Sequence, residues 1–434
     1  MIGMVGRRAA LFGGAGLAAL AATAQRPRAA VATRARIVII GAGAAGLAMA
    51  SRLAQRLEGA EITLLDKRRE HLYQPGFTLI AAGLRNKDYV LSTTAEYVAR
   101  GVRLVEERGA EIDPVAKVVT TDAGRRVPYD YLVLATGLSL DYAAIEGMDV
   151  NRIGQDGLGS IYAGPEQAEA TWRAMSAFAD RGGTAIFGRP ETEMKCAGAP
   201  LKYAFLTDDT LRRRGNRARS ELIYNAQTTS LFSVPIVAER VRMLFGERDI
   251  KVNHSHILKA IDLSRRIATF ETREGRREFR YDFINVVPPM RAPEVVRNSP
   301  LRWQTGPWAG DGWAEVNRHT LRHARFPEVF AVGDVAGVPK GKTAASVKWQ
   351  VPVAVDHLVA SIEGKESTSR YDGYTSCPLI TRVGRAMLVE FDYNDNLVPS
   401  FPGVVAPLEE LWISWIMKEV GLKPTYLAML RGRA

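Results

Sequence analysis

Between Ile37 and Asp66 the chain spells out a strand, a glycine-punctuated turn, a helix and a second strand, and few folds accept that unit. The apolar run Ile37-Val38-Ile39-Ile40 leads into Gly41-Ala42-Gly43-Ala44-Ala45-Gly46, a helical pattern from Leu47 to Leu57, and Ile62-Thr63-Leu64-Leu65 ending at Asp66. The first glycine permits a tight turn, the second lets the backbone approach a pyrophosphate, and the third allows close packing of helix on strand. The helix N-terminus adds free N–H groups and the positive end of its dipole. Asp66, about twenty residues past the last glycine, suits a ribose hydroxyl. Gly41, Gly43, Gly46 and Asp66 therefore predict a dinucleotide bound to a parallel α/β domain.

Two later segments choose the dinucleotide. Tyr131-Leu132-Val133-Leu134 ends in the turn Ala135-Thr136-Gly137, and Val329-Phe330-Ala331-Val332 ends in Gly333-Asp334. In that order, with the N-terminal unit, they resemble the FAD signatures of flavoproteins built from two dinucleotide domains, where the aspartate binds the ribityl chain. A second dinucleotide domain would normally carry its own glycine triplet for a nicotinamide nucleotide. The corresponding stretch, Gly183 to Gly188 followed by Arg189-Pro190-Glu191-Thr192-Glu193, has none, and its proline and acids obstruct a pyrophosphate. Electrons must then reach the flavin from elsewhere, and Cys196 lies just beyond that strand. Further on, Lys342 to about Ile362 is apolar at helical spacing and broken only by Pro352.

The chain has only two cysteines, Cys196 and Cys377, each in a Pro/Gly-punctuated stretch. An ordinary disulfide of an exported protein is the plainer reading of such a pair. Export itself is suggested by Arg7-Arg8 before the small-residue stretch Ala9 to Ala22, with Ala22-Thr23-Ala24 or Ala30-Val31-Ala32 as a cleavage site, a pattern read here as a twin-arginine signal. The 434 residues carry 58 Lys+Arg against 47 Asp+Glu, a net charge of +11. Such a charge favours an acidic partner or lipid surface, but the basic residues are dispersed and no nucleic-acid-binding module accompanies them. No metal site is expected.

Several further segments carry a family resemblance: Tyr73-Gln74-Pro75, Lys195-Cys196-Ala197-Gly198-Ala199-Pro200, Pro288-Pro289-Met290, Lys342-Thr343-Ala344-Ala345, Tyr371 to Leu379 with Cys377, and Glu390-Phe391-Asp392-Tyr393. Together they resemble the sulfide:quinone oxidoreductases, most nearly the type that includes the mitochondrial enzyme, from about Arg36 to Arg431. The resemblance implies a cysteine pair near FAD that accepts sulfide sulfur and passes two electrons to FAD and then to a membrane quinone. It assigns Cys377 as the sulfur-accepting cysteine and Cys196 as the one facing the flavin; this division does not follow from the residues themselves. It also adds Lys342 and Thr343 to the FAD-binding set. The chemistry is ordinary thiol–disulfide exchange, in which hydrosulfide leaves one cysteine as a persulfide and the other as a thiolate. Lys195 and Lys202 are candidates for the positive charge such a thiolate needs.

The C-terminal stretch from Leu408 to Ala434 mixes Trp412, Trp415, Tyr426 and aliphatic residues with Lys418, Lys423, Arg431 and Arg433. It is read as amphipathic helices lying in a membrane interface with the cations toward anionic lipid, the alternative being a helix packed on its own core or on a partner subunit. Phe391, Tyr393 and Trp349 are the expected aromatic walls of a quinone site.

The expected fold is α/β, two Rossmann-like domains of the glutathione-reductase kind plus a membrane-associated C-terminal region. The expected boundaries are 1–32 signal peptide, 33–150 and 286–365 FAD domain, 151–285 second domain without a nicotinamide motif, and 366–434 cysteine-bearing interface region. The expected location is periplasmic, at the inner membrane surface, and a homo-oligomer is compatible with the reading. Sulfide, quinone and a small sulfur acceptor (sulfite, glutathione, cyanide or polysulfide) are the expected partners. The nearest rivals are the flavoprotein subunit of flavocytochrome c sulfide dehydrogenase and other FAD-dependent quinone reductases. The former ties its flavin to an additional cysteine, whereas Leu72-Tyr73-Gln74-Pro75 holds none, so FAD is expected to be noncovalent.

Overall fold

The computed structural model describes residues 30–434. The leader reading, with Arg7-Arg8 and the first cleavage site, lies outside the described residues. Val31–Ala32, its last two residues, pair in parallel with Leu57–Glu58.

The apolar strands assemble as their composition demands. Runs of Ile, Val and Leu without polar alternation can be buried on both faces, which is the situation of a parallel sheet covered by helices. Five such strands form the first sheet, in the order Val329–Ala331, Tyr131–Leu134, Arg36–Ile40, Glu61–Leu65, Val102–Val105, all parallel. The helix Ala44–Arg56 crosses between Arg36–Ile40 and Glu61–Leu65 and buries Leu47, Ala48, Met49, Ala50 and Leu53. Its start has no side-chain cap, so its first N–H groups stay free for a ligand.

A second parallel sheet is inserted between the first sheet's fourth and last strands in sequence. Its order is Leu158–Gly159, Phe283–Asn285, Gly183–Gly188, Ser220–Ala226, Ile250–His254. Helix Pro165–Arg181 packs on it, and helix Ala199–Arg213 leads from the cysteine loop back across it. Val329–Ala331 then returns to the first sheet, followed by helix Ala344–Ile362. The expected break at Pro352 does not occur, and the helix runs through. The carbonyl that loses its donor there belongs to Lys348, which is half-exposed.

The C-terminal region opens with the antiparallel hairpin Thr375–Arg382 and Arg385–Phe391, and Cys377 sits opposite Val389. It ends in helix Trp412–Ile416, a π-helical turn Met417–Gly421 and helix Leu422–Leu430. The last helix does not lie free as an interfacial arm. It docks on Ala44–Arg56: Ser51 Oγ donates to Leu430 O at 2.7 Å, Gln55 Nε2 to Arg431 O at 3.0 Å, and Tyr426, Met429 and Leu430 are buried. The exposed apolar side chains lie upstream instead, at Phe401, Val404, Trp412, Ile413 and Val420. No helix among the described residues is long and apolar enough to cross a membrane.

Candidate active site

The carboxyl ends of the first sheet open on a cavity of about 230 Å³. Of the residues expected to hold a dinucleotide, Gly43, Ala135, Thr136, Gly137, Gly333, Asp334, Lys342 and Thr343 line it. Gly41 and Gly46 lie behind it and shape it. Gly41 has φ of 103°, and a Cβ on it would meet Ala135 O at 2.4 Å; a Cβ on Gly46 would meet Gly41 O at 1.7 Å. Only glycine lets the turn fold this tightly.

Asp66 binds the loop it serves. Its carboxylate accepts from Ala42 N at 2.7 Å, from Arg68 N at 2.9 Å and from the Arg68 guanidinium at 2.9 Å. Burial works to raise this carboxyl, but Arg68 and the two backbone N–H groups hold it below its usual range. Thr343 accepts from Ser346 N at 3.1 Å and so caps helix Ala344–Ile362, whose N-terminus faces the cavity. Lys342 donates to Asp334 O at 2.7 Å and Ala336 O at 3.0 Å, with its Nζ 3.7 Å from the centre of the Trp313 ring. Two hydroxyls on the cavity wall, Thr78 Oγ1 and Thr136 Oγ1, are buried without a partner among the described residues. Glycine backbone, a free helix end and unpartnered hydroxyls fit FAD with its diphosphate and ribityl chain.

The two cysteines meet at the mouth of this cavity, brought together from different domains. Cys196 sits in a left-handed turn with φ of 48° just before helix Ala199–Arg213. The turn is held by Cys196 N donating to Lys342 O at 2.9 Å and by the Tyr162 hydroxyl donating to Lys195 O at 3.2 Å and Cys196 O at 3.1 Å. Cys377 is buried on its strand, its sulfur resting where a side chain on Gly198 would be: an added Cβ would lie 2.3 Å from Sγ.

Cys196 lines the cavity; Cys377 does not, although its neighbours Ser376 and Pro378 do. Both are free thiols rather than a disulfide. A hydrogen bond from the Cys377 thiol holds Cys196 well below the ordinary thiol range against the effect of burial, and Lys202 reinforces it. The same bond, with burial, pushes Cys377 up. The hydrogen bond and Lys202 thus bias the pair toward ionisation at Cys196, facing the cavity, and toward the protonated form at Cys377 behind it.

Of the two lysines expected to supply charge, Lys202 does so, with Nζ 3.6 Å from Cys196 Sγ. Lys195 also lines the cavity, but its Nζ donates to Gln74 Oε1 at 2.7 Å rather than to a cysteine sulfur. Lys418 is the residue that sequence reasoning misplaces. Its pattern points it toward lipid, yet it is 2% exposed, lines the cavity and donates to Pro75 O at 3.3 Å. Burial and then the charge of Lys202 lower it to about 8. The π-helical turn Met417–Gly421 rotates it inward, and its place within Trp415-Ile416-Met417-Lys418 was the available signal.

The three expected quinone aromatics are not brought to the cavity. Phe391 packs on Phe232 at 5.7 Å, in the core of the hairpin. Tyr393 packs on Tyr371 at 5.5 Å and donates to Arg318 O. Trp349 stands on the outward side of its helix against Tyr374, because Ala344, Ala345 and Val347 take the inward side. Tyr162, His71 and Tyr426, which carried no motif, line the cavity.

His71 provides a pH test. Its Nε2 lies 2.8 Å from the Tyr426 hydroxyl, and burial lowers its imidazole from 6.5 to about 4. The folded state keeps it neutral while the unfolded chain takes up a proton near 6.5. Stability is therefore full above 6.5 and is lost as pH falls toward 4, by roughly 3 kcal/mol. His323 is lowered to about 4 as well and adds to the same slope. His71→Gln should flatten the fall in melting temperature between pH 6.5 and 4 by about half; an unchanged slope would show that His71 is not the buried neutral group.

A parallel-sheet dinucleotide cradle with a cysteine pair at its edge defines a flavoprotein of the disulfide oxidoreductase class. Residues 35–171 match the family model of pyridine nucleotide-disulphide oxidoreductases. The mitochondrial sulfide:quinone oxidoreductase of Mus musculus is 33% identical over 369 residues, covering 84% of this chain and 80% of that protein. The Dictyostelium discoideum mitochondrial enzyme is 33% identical over 400 residues, covering 92% and 86%. The crystal structure of the sulfide:quinone oxidoreductase from Aquifex aeolicus superimposes with a TM-score of 0.75 at 22% identity, over 92% of each chain, and so shares the fold. The chain belongs to the sulfide:quinone oxidoreductase family.

Proposed function

We propose that the protein oxidises hydrogen sulfide through Cys196 and Cys377 and delivers the electrons by way of FAD to a quinone. The observation that carries this reading is the cysteine pair at the dinucleotide cleft, with Cys196 on the cavity wall and Lys202 Nζ 3.6 Å from its Sγ.

In the oxidised pair, hydrosulfide attacks the Cys377 sulfur. The new S–S bond forms as the Cys196–Cys377 bond breaks, leaving Cys377 as a persulfide and Cys196 as a thiolate. Lys202 stabilises that thiolate, and the absence of a side chain on Gly198 leaves room for the Cys377 sulfur. Bound noncovalently in the cleft, FAD supplies a two-electron acceptor. When the pair has given up two electrons and a small nucleophilic acceptor has taken the outer sulfur, the disulfide is restored. The net change is hydrosulfide to sulfane sulfur, one proton and two electrons. Gly43 and the free end of helix Ala44–Arg56 would hold the diphosphate, Asp66 and Arg68 the ribose end, and Thr136, Gly137, Asp334 and Thr343 the remainder. The apolar side chains of Phe401, Val404, Trp412, Ile413 and Val420 support a peripheral seat on a bilayer, and Arg7-Arg8 supports export to the periplasm.

Purified protein given sulfide anaerobically should bleach its flavin and then reduce a water-soluble ubiquinone analogue, and NADH should not replace sulfide. Absence of sulfide-dependent quinone reduction would remove the assignment.

A further inference from the structure

The second sheet ends, as the first does, in a recess; its walls are mostly apolar with a few polar side chains set in them, and its residues are not used by the chemistry above. The recess is small, about 20 Å³, at the carboxyl ends of Gly183–Gly188, Ser220–Ala226 and Phe283–Asn285. In open α/β sheets this edge is where ligands bind. Arg189, Asn225 and Asn285 line it. Asn225 is 0% and Asn285 2% exposed. Asn225 spends its oxygen on Asn253 Nδ2 at 2.9 Å, but its own Nδ2 has no partner. Asn285 has no partner at either Nδ2 or Oδ1.

The Arg189 guanidinium makes no hydrogen bond or ion pair among the described residues, and its Nε is buried. The one acid on the wall, Glu191, is already neutralised by Lys259 at 2.7 Å. A buried amide left unpaired is costly, so two such amides around one void, beside an arginine Nε in the same condition, point to an occupant.

The inventory of unmade bonds describes that occupant. Three buried donors are unpaired among the described residues, Arg189 Nε, Asn225 Nδ2 and Asn285 Nδ2, one of them cationic; one buried acceptor is unpaired, Asn285 Oδ1. The volume admits about one heavy atom. A chloride would take the donors and leave Asn285 Oδ1 unpaired. Water would pair both kinds of group but carries no charge to match the Arg189 cation, which is part-exposed and has no acid partner among the described residues. Hydrosulfide is a one-heavy-atom anion that accepts several hydrogen bonds and donates one.

We infer that Arg189, Asn225 and Asn285 form an accessory hydrosulfide site on the second domain, apart from the reacting cysteines. The assignment of hydrosulfide over another small anion rests on the sulfide-oxidising reading.

The test uses FAD-loaded protein with both cysteines changed to serine, so that hydrosulfide can bind without reacting. Sodium hydrosulfide should raise its melting temperature saturably, more strongly as pH rises and neutral hydrogen sulfide gives way to the anion, while sodium chloride at equal ionic strength should not. Arg189→Gln should weaken the response at least tenfold. Asn285→Leu, which removes the buried amide without opening a void, should also lose it while folding normally. No saturable shift, a shift that survives in both variants, or an equal shift with chloride would each overturn the inference. Flavin bleaching of the wild-type protein by sulfide is read separately: its absence beside intact hydrosulfide binding would remove the proposed function and leave the site standing.

Discussion

Replacing either Cys196 or Cys377 with serine should lower the rate of sulfide-dependent flavin reduction by at least about 10³-fold, the scale on which loss of a covalent nucleophile is felt. A serine hydroxyl can neither form the disulfide that hydrosulfide attacks nor exist as an anion at neutral pH. The two variants should differ in what remains. With Cys377 replaced, Cys196 still lines the cavity with Lys202 at 3.6 Å, and should alkylate readily at pH 7. With Cys196 replaced, Cys377 is buried on its strand without access to the cavity wall and should alkylate slowly. FAD content should be normal in both, because neither sulfur contributes to the glycine cradle. Normal reduction by sulfide in both variants would reject the role of the pair, and reversed alkylation rates would exchange the assignments of the two sulfurs.

Gly198→Ala should be nearly as damaging, although it adds only a methyl group. The new Cβ would stand 2.3 Å from Cys377 Sγ and 2.8 Å from Leu379 Cδ2, well inside contact distance. Neither neighbour yields easily, since both lie on the buried strand Thr375–Arg382 in register with Arg385–Phe391. The Cys377 sulfur is displaced, and its hydrogen bond to Cys196 is stretched or broken. A displacement on the order of 1 Å at a reacting centre costs roughly 10²-fold in rate. The Cys196 thiolate should also lose its main stabilising partner, so the pH at which it ionises should move up toward the ordinary thiol range. That shift, read in the pH profile of flavin reduction, separates a displaced sulfur from a general loss of stability. Wild-type reduction rates with an unmoved profile would show that the hairpin adjusts around the methyl.

The dinucleotide cradle was legible in the chain because its geometry is local. Gly41, Gly43 and Gly46 lie within one turn, and the clashes that forbid a side chain at Gly41 and Gly46 come from Ala135 and Gly41 backbone. The Asp66 partnership and the Thr343 cap are likewise set over short spans or between adjacent strands. The cysteines were legible as chemistry by their flanking segments. Their contact was not, because one belongs to the loop before helix Ala199–Arg213 and the other to a hairpin that folds back from beyond both sheets. The C-terminus was legible only in part. Its alternation of apolar residues and cations fits a lipid surface and a cleft wall equally well, and only the fold shows that Lys418, in the π-helical turn Met417–Gly421, belongs to the cleft wall. The aromatics Phe391, Tyr393 and Trp349 do not line the dinucleotide cavity, because these rings pack into the hairpin core or on one another.

By itself the sequence determined that this chain is a parallel-sheet flavoprotein carrying two reactive sulfurs, since strand periodicity, glycine turns and thiol chemistry are properties of short segments. Only the tertiary structure decided which sulfur faces the cavity, that Lys202 rather than Lys195 stands beside it, and that the last helix closes the cofactor cleft. Those outcomes depend on distances between segments far apart in the chain, and such distances exist only once the sheets, the hairpin and the C-terminal helix have packed against one another.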